Sequence, residues 1–370
     1  MNETVLTWIV FILIFGSVVL IHEFGHFIAA RLCGIEVEEF GIGLPTPGAI
    51  TLFTWQGTRF TLNWLPLGGF VRPKGENDPN VPGGLASSSP WKRLIVLFAG
   101  PLMNLLLAVV IYSIIFNRVG VPDTNHVLIS AVTPASPAAT AGFKDGDIFV
   151  SGNGQPIANY DQLRQIIDNN VDKSITFVVS RDGKQIELTA TPHLDPTEKR
   201  AMIGVGLGVP FRQKASWGET LGLGAQYTGY SVRALISLPA QLLRGTISPE
   251  QGRLIGLKGI YDVLQKSVSH DVQASSSPTP ASSTSPVDQP ISTLELLASL
   301  TISLGVFNLF PFPALDGGRI IFVLPELIFR RRVSPQVENL IHGMGMAVLL
   351  LFMLYINIMD FINPATVTIP

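Results

Sequence analysis

The sequence predicts a polytopic α-helical membrane protein of about four transmembrane helices, with a membrane-associated β-hairpin and an inserted extracytoplasmic α+β domain. Three observations lead there. Four apolar runs stand out: Val5–Leu20, Leu94–Phe116, Leu294–Phe310 and Met344–Ile362. Mean hydropathy is +0.39 and only 14% of the 370 residues are charged, low for a soluble globular chain. Lys and Arg are distributed unevenly around the runs, as they are around membrane spans.

A helix needs roughly 20 largely apolar residues to cross the hydrocarbon core. Val5–Leu20 falls short, so the first span (residues 1–32) must include His22, Glu23 and His26, and the helical pattern can continue through Arg31. No basic segment precedes it and no small-residue cleavage site follows, so it is expected to be a span rather than a signal peptide. Residues 33–90 form a loop that starts with the turn-rich stretch Gly41–Gly48. There Ile50–Trp55 and Arg59–Trp64 flank Gln56-Gly57-Thr58, a hairpin pattern, with Leu67–Val71 as a further strand. Its apolar, Trp-bearing character suits either insertion into the membrane or a place on its surface.

The second span covers residues 91–117. Residues 126–192 read as a soluble domain: strand Val127–Val132, amphipathic helix Tyr160–Asn169, and alternating strands Ile175–Ser180 and Gln185–Ala190 around Arg181-Asp182-Gly183. Residues 193–272 form a post-domain region in which Trp217–Leu243 has an uneven helical pattern suited to the membrane interface. Residues 273–290 are rich in Ser, Thr and Pro and predict a flexible linker. The third span (291–329) is broken by Pro311, Pro313 and Gly317-Gly318, and the fourth covers 340–362.

Arg31, Arg59, Arg72, Lys74, Lys92 and Arg93 lie between the first two apolar runs; Arg319 and Arg330–Arg332 lie between the last two. By the positive-inside rule these loops are cytoplasmic, and both termini and the inserted domain are extracytoplasmic. A net charge of −2 without basic runs offers nothing to nucleic acid, so no such partner is expected. The single cysteine, Cys33, rules out an internal disulfide framework and a cysteine-based zinc site.

Within the soluble domain, Ser136-Pro137-Ala138-Ala139-Thr140-Ala141-Gly142-Phe143-Lys144-Asp145-Gly146-Asp147-Ile148 resembles a bacterial PDZ domain. PDZ domains bind extended peptides or chain ends by strand addition to a sheet edge; a simple steric plug is the alternative. His126 and His193 bracket this domain and are expected to be solvated, while His270 falls near the linker.

The chemistry starts in the first span, at His22-Glu23-Phe24-Gly25-His26. Residues i and i+4 share a helix face, so both imidazoles can reach one metal with Glu23 beside it as general base. Ionisable groups at such depth are costly and usually functional. Catalytic zinc keeps three protein ligands and an open water position. Leu32 stands where a metzincin's third histidine would be required, which excludes that pattern. Glu36, Glu38 and Glu39 follow closely but are expected in or just before a turn. Asp316, in the broken third span, is the better candidate, with helix capping as its alternative role.

These segments resemble the site-2 protease family of intramembrane metalloproteases, in particular bacterial members with one PDZ domain. The likeness rests on the histidine motif, on Ala99-Gly100-Pro101-Leu102-Met103-Asn104, on the PDZ insert and on Asn308 through Gly318. It implies Zn²⁺ held by His22, His26 and Asp316, Glu23 as catalytic base, Asn308 binding or orienting the substrate backbone, and Asn104 as a polar contact near the site. It also implies that the hairpin receives an unwound substrate as an added strand. Expected substrates are single-pass membrane proteins, already cut by another protease, in regulated intramembrane proteolysis such as anti-sigma-factor release or signal-peptide clearance. The expected location is the plasma membrane, with the active site toward the cytoplasm. The competing reading is a catalytically inactive membrane scaffold that captures peptide ends; the intact Glu23 argues against it. A metal transporter would need polar residues in more spans.

Overall fold

The structure, a computed structural model of the chain, describes residues 3–195, 200–212, 215–248, 252–276 and 289–364. Two compact units emerge, one from Met1–Ile115, Leu221–Val272 and Pro290–Pro370, the other built on Phe116–Thr220. The first unit begins with α1 (Glu3–Leu32), whose 30 residues span about 45 Å at 1.5 Å per residue. The apolar run thus continues as helix straight through the histidine motif.

The predicted hairpin is part of a larger sheet. β1 (Val37–Leu44), β2 (Ile50–Trp55), β3 (Thr58–Leu62) and β4 (Leu65–Pro73) form four strands in the order β2-β3-β1-β4. Gln56 and Gly57 turn β2 into β3 with φ of 48° and 86°, the pair of positive values that a two-residue type I′ turn requires. While Pro47-Gly48 does form a turn, β1 corrects the turn-rich reading over Gly41–Leu44. Its backbone is paired on both sides, parallel to β3 and antiparallel to β4, and this outweighs the weak strand propensity of glycine. Gly41 is required because a Cβ there would lie 2.2 Å from the Phe70 ring. Phe27 of α1 meets Phe40 and Phe60 at centroid distances of 5.6 and 5.7 Å, so this sheet packs on the later half of α1. Every residue of β2 is exposed, including Ile50, Leu52, Phe53 and Trp55, so apolar groups project from both faces. α2 (Pro90–Val119) crosses α1 closely: a Cβ on Gly25 would stand 2.4 Å from the Ala99 carbonyl oxygen.

The second unit contains β5 (Val121–Pro122), β6 (Val127–Val132), α3 (Pro137–Ala141), β7 (Ile148–Gly152), β8 (Gln155–Pro156), α4 (Tyr160–Asp168), β9 (Ile175–Arg181), β10 (Lys184–Ala190), β11 (His193–Asp195), β12 (Arg200–Met202), β13 (Val205–Gly208) and β14 (Phe211–Arg212). Its main sheet has the order β10-β9-β7-β6-β13 with β8 on β7. Ile129, Phe149, Leu163, Ile175, Phe177 and Val179 fill its core. The Ser-Pro of the motif starts α3: Ser136 Oγ caps by accepting the Ala139 N–H, and Gly142 closes the helix at φ 86°. The buried Asp147 pairs with Arg181 at 2.7 Å, and Asp182-Gly183 makes the expected hairpin turn with φ of 52° and 78°. The sheet does not stop at residue 192 as predicted. β13 adds beside β6, and Ala201 and Ile203 enter the core. A four-residue, half-glycine strand carries no local signal, so only its pairing reveals it.

The chain then forms α5 (Trp217–Leu243), α6 (Leu257–Ser276), α7 (Ser292–Asn308), α8 (Asp316–Phe329) and α9 (Pro335–Ile362). α6 packs Leu264 and Val268 on Phe11 and Ile14 of α1, and its N-terminus is held by Asp360 of α9, which accepts from Gly256 and Gly259 N–H. His270 is helical rather than linker: its Nδ1 lies 3.0 Å from Ser292 Oγ at the start of α7. Residues 277–288 of the expected linker lie outside the described residues. Three described helices are long and apolar enough to cross a membrane, with mean hydropathies of 2.7, 2.6 and 2.1. The third predicted span is the shorter apolar α7 followed, after a prolyl break, by α8.

Candidate metal centre

Four residues advance a helix by slightly more than one turn, so His22 and His26 lie on one face of α1 with ring centroids 4.8 Å apart. Asp316 opens α8, where a carboxylate also suits the positive end of the helix dipole. Its Oδ2 lies 3.1 Å from His22 Nε2 and 3.4 Å from His26 Nε2, and the two Nε2 atoms are 3.1 Å apart. Among the described residues this is the one trio of His, Cys, Asp or Glu side chains that converges so closely.

The donor set fits zinc. Tetrahedral zinc with Zn–N bonds of about 2.0–2.1 Å separates neighbouring donors by about 3.3 Å, matching the spacings here. The tautomers agree. His26 Nδ1 lies 2.8 Å from the Val96 carbonyl, which can only accept, so Nδ1 carries the proton and Nε2 presents its lone pair. His22 Nδ1 lies 3.3 Å from the Asn104 amide, whose Oδ1 is buried without another partner. Turning that amide lets Oδ1 accept from Nδ1–H, which satisfies both groups and leaves Nε2 bare. Three bare donors facing one another at 3.1–3.4 Å repel unless a cation lies among them. Two imidazoles and a carboxylate are borderline ligands of the kind zinc takes.

Glycines make the room. A Cβ on Gly100 of α2 would stand 2.3 Å from His26 Nε2 and 2.9 Å from His22 Nε2. At the α8 entry, Cβ atoms on Gly317 and Gly318 would each lie 2.2 Å from a backbone carbonyl oxygen of Phe310 or Phe312. Only glycine allows the chain to fold back tightly enough there to present Asp316.

Glu23 stands beside His22, and its Oε2 accepts the Val71 N–H at 3.0 Å. Val71 is in register with Phe40 of β1, yet its N–H points to Glu23, so that group belongs to the outer edge of β4. The other early acids are engaged elsewhere. Glu39 is buried in β1, accepting from Thr61 at 2.8 Å and Arg72 at 2.9 Å; Glu38 is exposed on the same strand; Glu36 pairs with Lys74. Glu38 and Glu39 lie on a strand rather than at the expected turn, and Glu36 immediately precedes that strand.

Asn104 is fully buried against His22, and Thr301 Oγ1 donates to its backbone carbonyl at 3.2 Å. Asn308 is half-buried at the last position of α7. His126 and His193 are exposed and pair with Asp123 and Asp172. The sequence reading did not identify the Val96 carbonyl, the Val71 N–H or the space left by Gly100. The first two are backbone groups with no side-chain signature; Gly100 lay within a recognised motif, without a role.

Among solved structures, the PDZ domain of an SdrC-like protein from Listeria monocytogenes is similar over 22% of this chain and 87% of its own, at 18% identity and a TM-score of 0.21. A Brucella suis biovar 1 protein assigned the name zinc metalloprotease is 30% identical over 381 residues, covering 96% of this chain and 94% of the relative. Metalloprotease MmpA of Caulobacter vibrioides is 28% identical over 376 residues, covering 92% of each. The pattern of Peptidase family M50 matches residues 10–352, which take in the histidine motif and Asp316 alike. With a largely buried two-histidine, one-carboxylate centre among apolar helices, the chain belongs to peptidase family M50, the site-2 protease family, and is a zinc metalloprotease of the membrane.

Proposed function

We propose that this protease hydrolyses peptide bonds within or near transmembrane segments, with His22, His26 and Asp316 holding zinc and Glu23 acting as general base. One observation carries the reading: a carboxylate beside the three-donor centre is held at 3.0 Å by the outer edge of a β-strand. Zinc bound there supplies Lewis acidity, acidifying water and polarising a carbonyl. Glu23 Oε atoms take up the proton that the attacking water releases and return it to the leaving amine. The Val71 N–H fixes that carboxylate at the edge of β4.

A transmembrane helix hides its amides in i to i−4 hydrogen bonds, so the substrate must unwind before cleavage. Unwinding in lipid leaves N–H and C=O groups without partners, at a cost of several kcal/mol each. Strand addition to the edge of β4 would satisfy them and lay the substrate backbone in the row that already meets Glu23. Apolar groups on both faces of β2 favour a sheet inserted into the membrane rather than lying on it.

His22 lies ten residues before the end of α1, about 15 Å along the axis, while the N-terminal stretch is nearly twice as long. Together with the Arg-bearing loops, this supports an active site in the cytoplasmic half of the bilayer, a multi-pass topology of four spans counting α7–α8 as one, and an extracytoplasmic residue 116–220 unit. That unit has the PDZ-like motif and a groove of about 310 Å³ between α4 and β12–β13, whose outer strand β13 ends the sheet. It would screen substrates pre-cleaved by another protease, through a peptide end or by size. Asn308 would orient the substrate backbone.

The test is Glu23→Gln in purified full-length protein, with a single-span substrate and zinc analysis. The expected result is retained zinc with cleavage reduced by at least a hundredfold. Wild-type protein that neither binds zinc nor cuts would overturn the protease reading; cleavage by the variant at the wild-type rate would remove Glu23 from its role.

A further inference from the structure

The turn that delivers Asp316 is gripped from outside by the last helix. Between α7 and α8 the chain passes through Pro311, Pro313 and Ala314, and Ala314 holds φ at +80°, a left-handed conformation that L-residues with a Cβ rarely adopt. Its N–H cannot be satisfied within a helix, and the segment lies between apolar helices where no unpaired backbone donor is tolerated. The acceptor is a side chain: His342 Nδ1 of α9, at 2.9 Å. A backbone N–H can only donate, so the His342 ring keeps Nδ1 bare and carries its proton on Nε2. Its ring lies 5.3 Å from the Phe322 ring of α8, which restricts its rotation.

A second contact falls one turn further along the same face of α9. Gly345 lies against Pro313 so closely that a Cβ would stand 2.3 Å from the proline Cβ. Two positions on α9 therefore hold two consecutive residues of the turn. Two residues after Ala314 comes Asp316, whose carboxylate meets both histidines. A left-handed residue without its hydrogen bond would relax, and a change in its φ and ψ would swing the following residues.

We propose that His342 is a positioning residue for the metal centre: it locks the Pro313-Ala314 turn and thereby sets the place of the Asp316 carboxylate between His22 and His26. This rests on the reading of Asp316 as a ligand. No motif of the histidine or Asp316 segments covers His342, and its hydrogen bond and ring contact go to Ala314 and Phe322 rather than to any of the three donors.

The experiment measures zinc affinity by chelator competition, and the visible absorption of the cobalt-substituted protein, for full-length wild type, His342→Asn, His342→Phe and Asp316→Ala. Asparagine carries an acceptor at a similar distance from the backbone; phenylalanine preserves ring volume against Phe322 but accepts nothing. The expected result is an affinity loss of about 10- to 100-fold for His342→Phe, with altered cobalt bands and wild-type helical content, and recovery to within about threefold for His342→Asn. Wild-type affinity and bands in His342→Phe, alongside a loss in Asp316→Ala, would overturn the positioning role while leaving the ligand. Wild-type affinity in Asp316→Ala would instead overturn the ligand reading itself. Equal losses in His342→Phe and His342→Asn would show that bulk, not the hydrogen bond, matters, and would also overturn the proposal.

Discussion

Gly100→Ala tests the centre by steric means, without altering a ligand. The new Cβ would lie 2.3 Å from His26 Nε2 and 2.9 Å from His22 Nε2, where ordinary contact begins near 3.4 Å. The His26 ring would have to retreat by the difference, 3.4 − 2.3 = 1.1 Å, and the His22 ring by 3.4 − 2.9 = 0.5 Å. His26 has little freedom to do so, because its Nδ1 is tied to the Val96 carbonyl on the same helix as Gly100. A displacement of about 1 Å at a reacting centre costs on the order of a hundredfold in rate, about 2.8 kcal/mol at 1.4 kcal/mol per tenfold. The expected outcome is a zinc affinity at least tenfold weaker and turnover reduced about a hundredfold, with the helical fold retained. Zinc competition and cleavage of a single-span substrate measure this, with Gly222→Ala as control. Gly222 lies in α5 with nothing within 4 Å of its added Cβ, so that substitution should be neutral or stabilise by about 0.5–1 kcal/mol. If Gly100→Ala bound zinc and cleaved like wild type, the tight α1–α2 crossing at the centre would be wrong.

Two further predictions concern the residue 116–220 unit. Arg181→Met leaves the Asp147 carboxylate buried with only backbone donors such as the Lys144 N–H, and should destabilise this unit by about 3 kcal/mol, read as faster amide exchange in β7 and β9. At Asp123, desolvation pushes the carboxyl pKa upward, but hydrogen bonds from His126 and the Asn125 N–H outweigh it and hold the pKa below the usual 3.8. A depressed folded value favours the folded form above pH 3.8, and this contribution fades as pH falls through the lowered value. Protection of the His126 amide should therefore exceed that in Asp123→Asn near neutral pH and fall toward it as pH drops through the lowered value, and a difference between the two proteins that did not change with pH would contradict it.

What could be read in the sequence was whatever is encoded by local periodicity. Apolar runs of span length identify α1, α2 and α9 because lipid requires continuous helix. The i, i+4 spacing places His22 and His26 on one face because α-helix geometry is local. The turns at Gln56-Gly57 and Asp182-Gly183 follow from the demand for positive φ. β1 and β13 were missed because both contain pairs of glycines and gain their stability from neighbouring strands.

The sequence alone determined a membrane enzyme with two histidines and a glutamate on one helix, and it nominated Asp316 at a distance of 294 residues. Only the tertiary structure decided the rest: that Asp316 reaches within 3.1 Å of His22, that Gly100 leaves space for both rings, and that Glu23 is tied to β4. The physical reason is that these relations are between surfaces. A backbone carbonyl at Val96, an N–H at Val71 or the absence of a Cβ at Gly100 acquires chemical meaning only once another element lies against it.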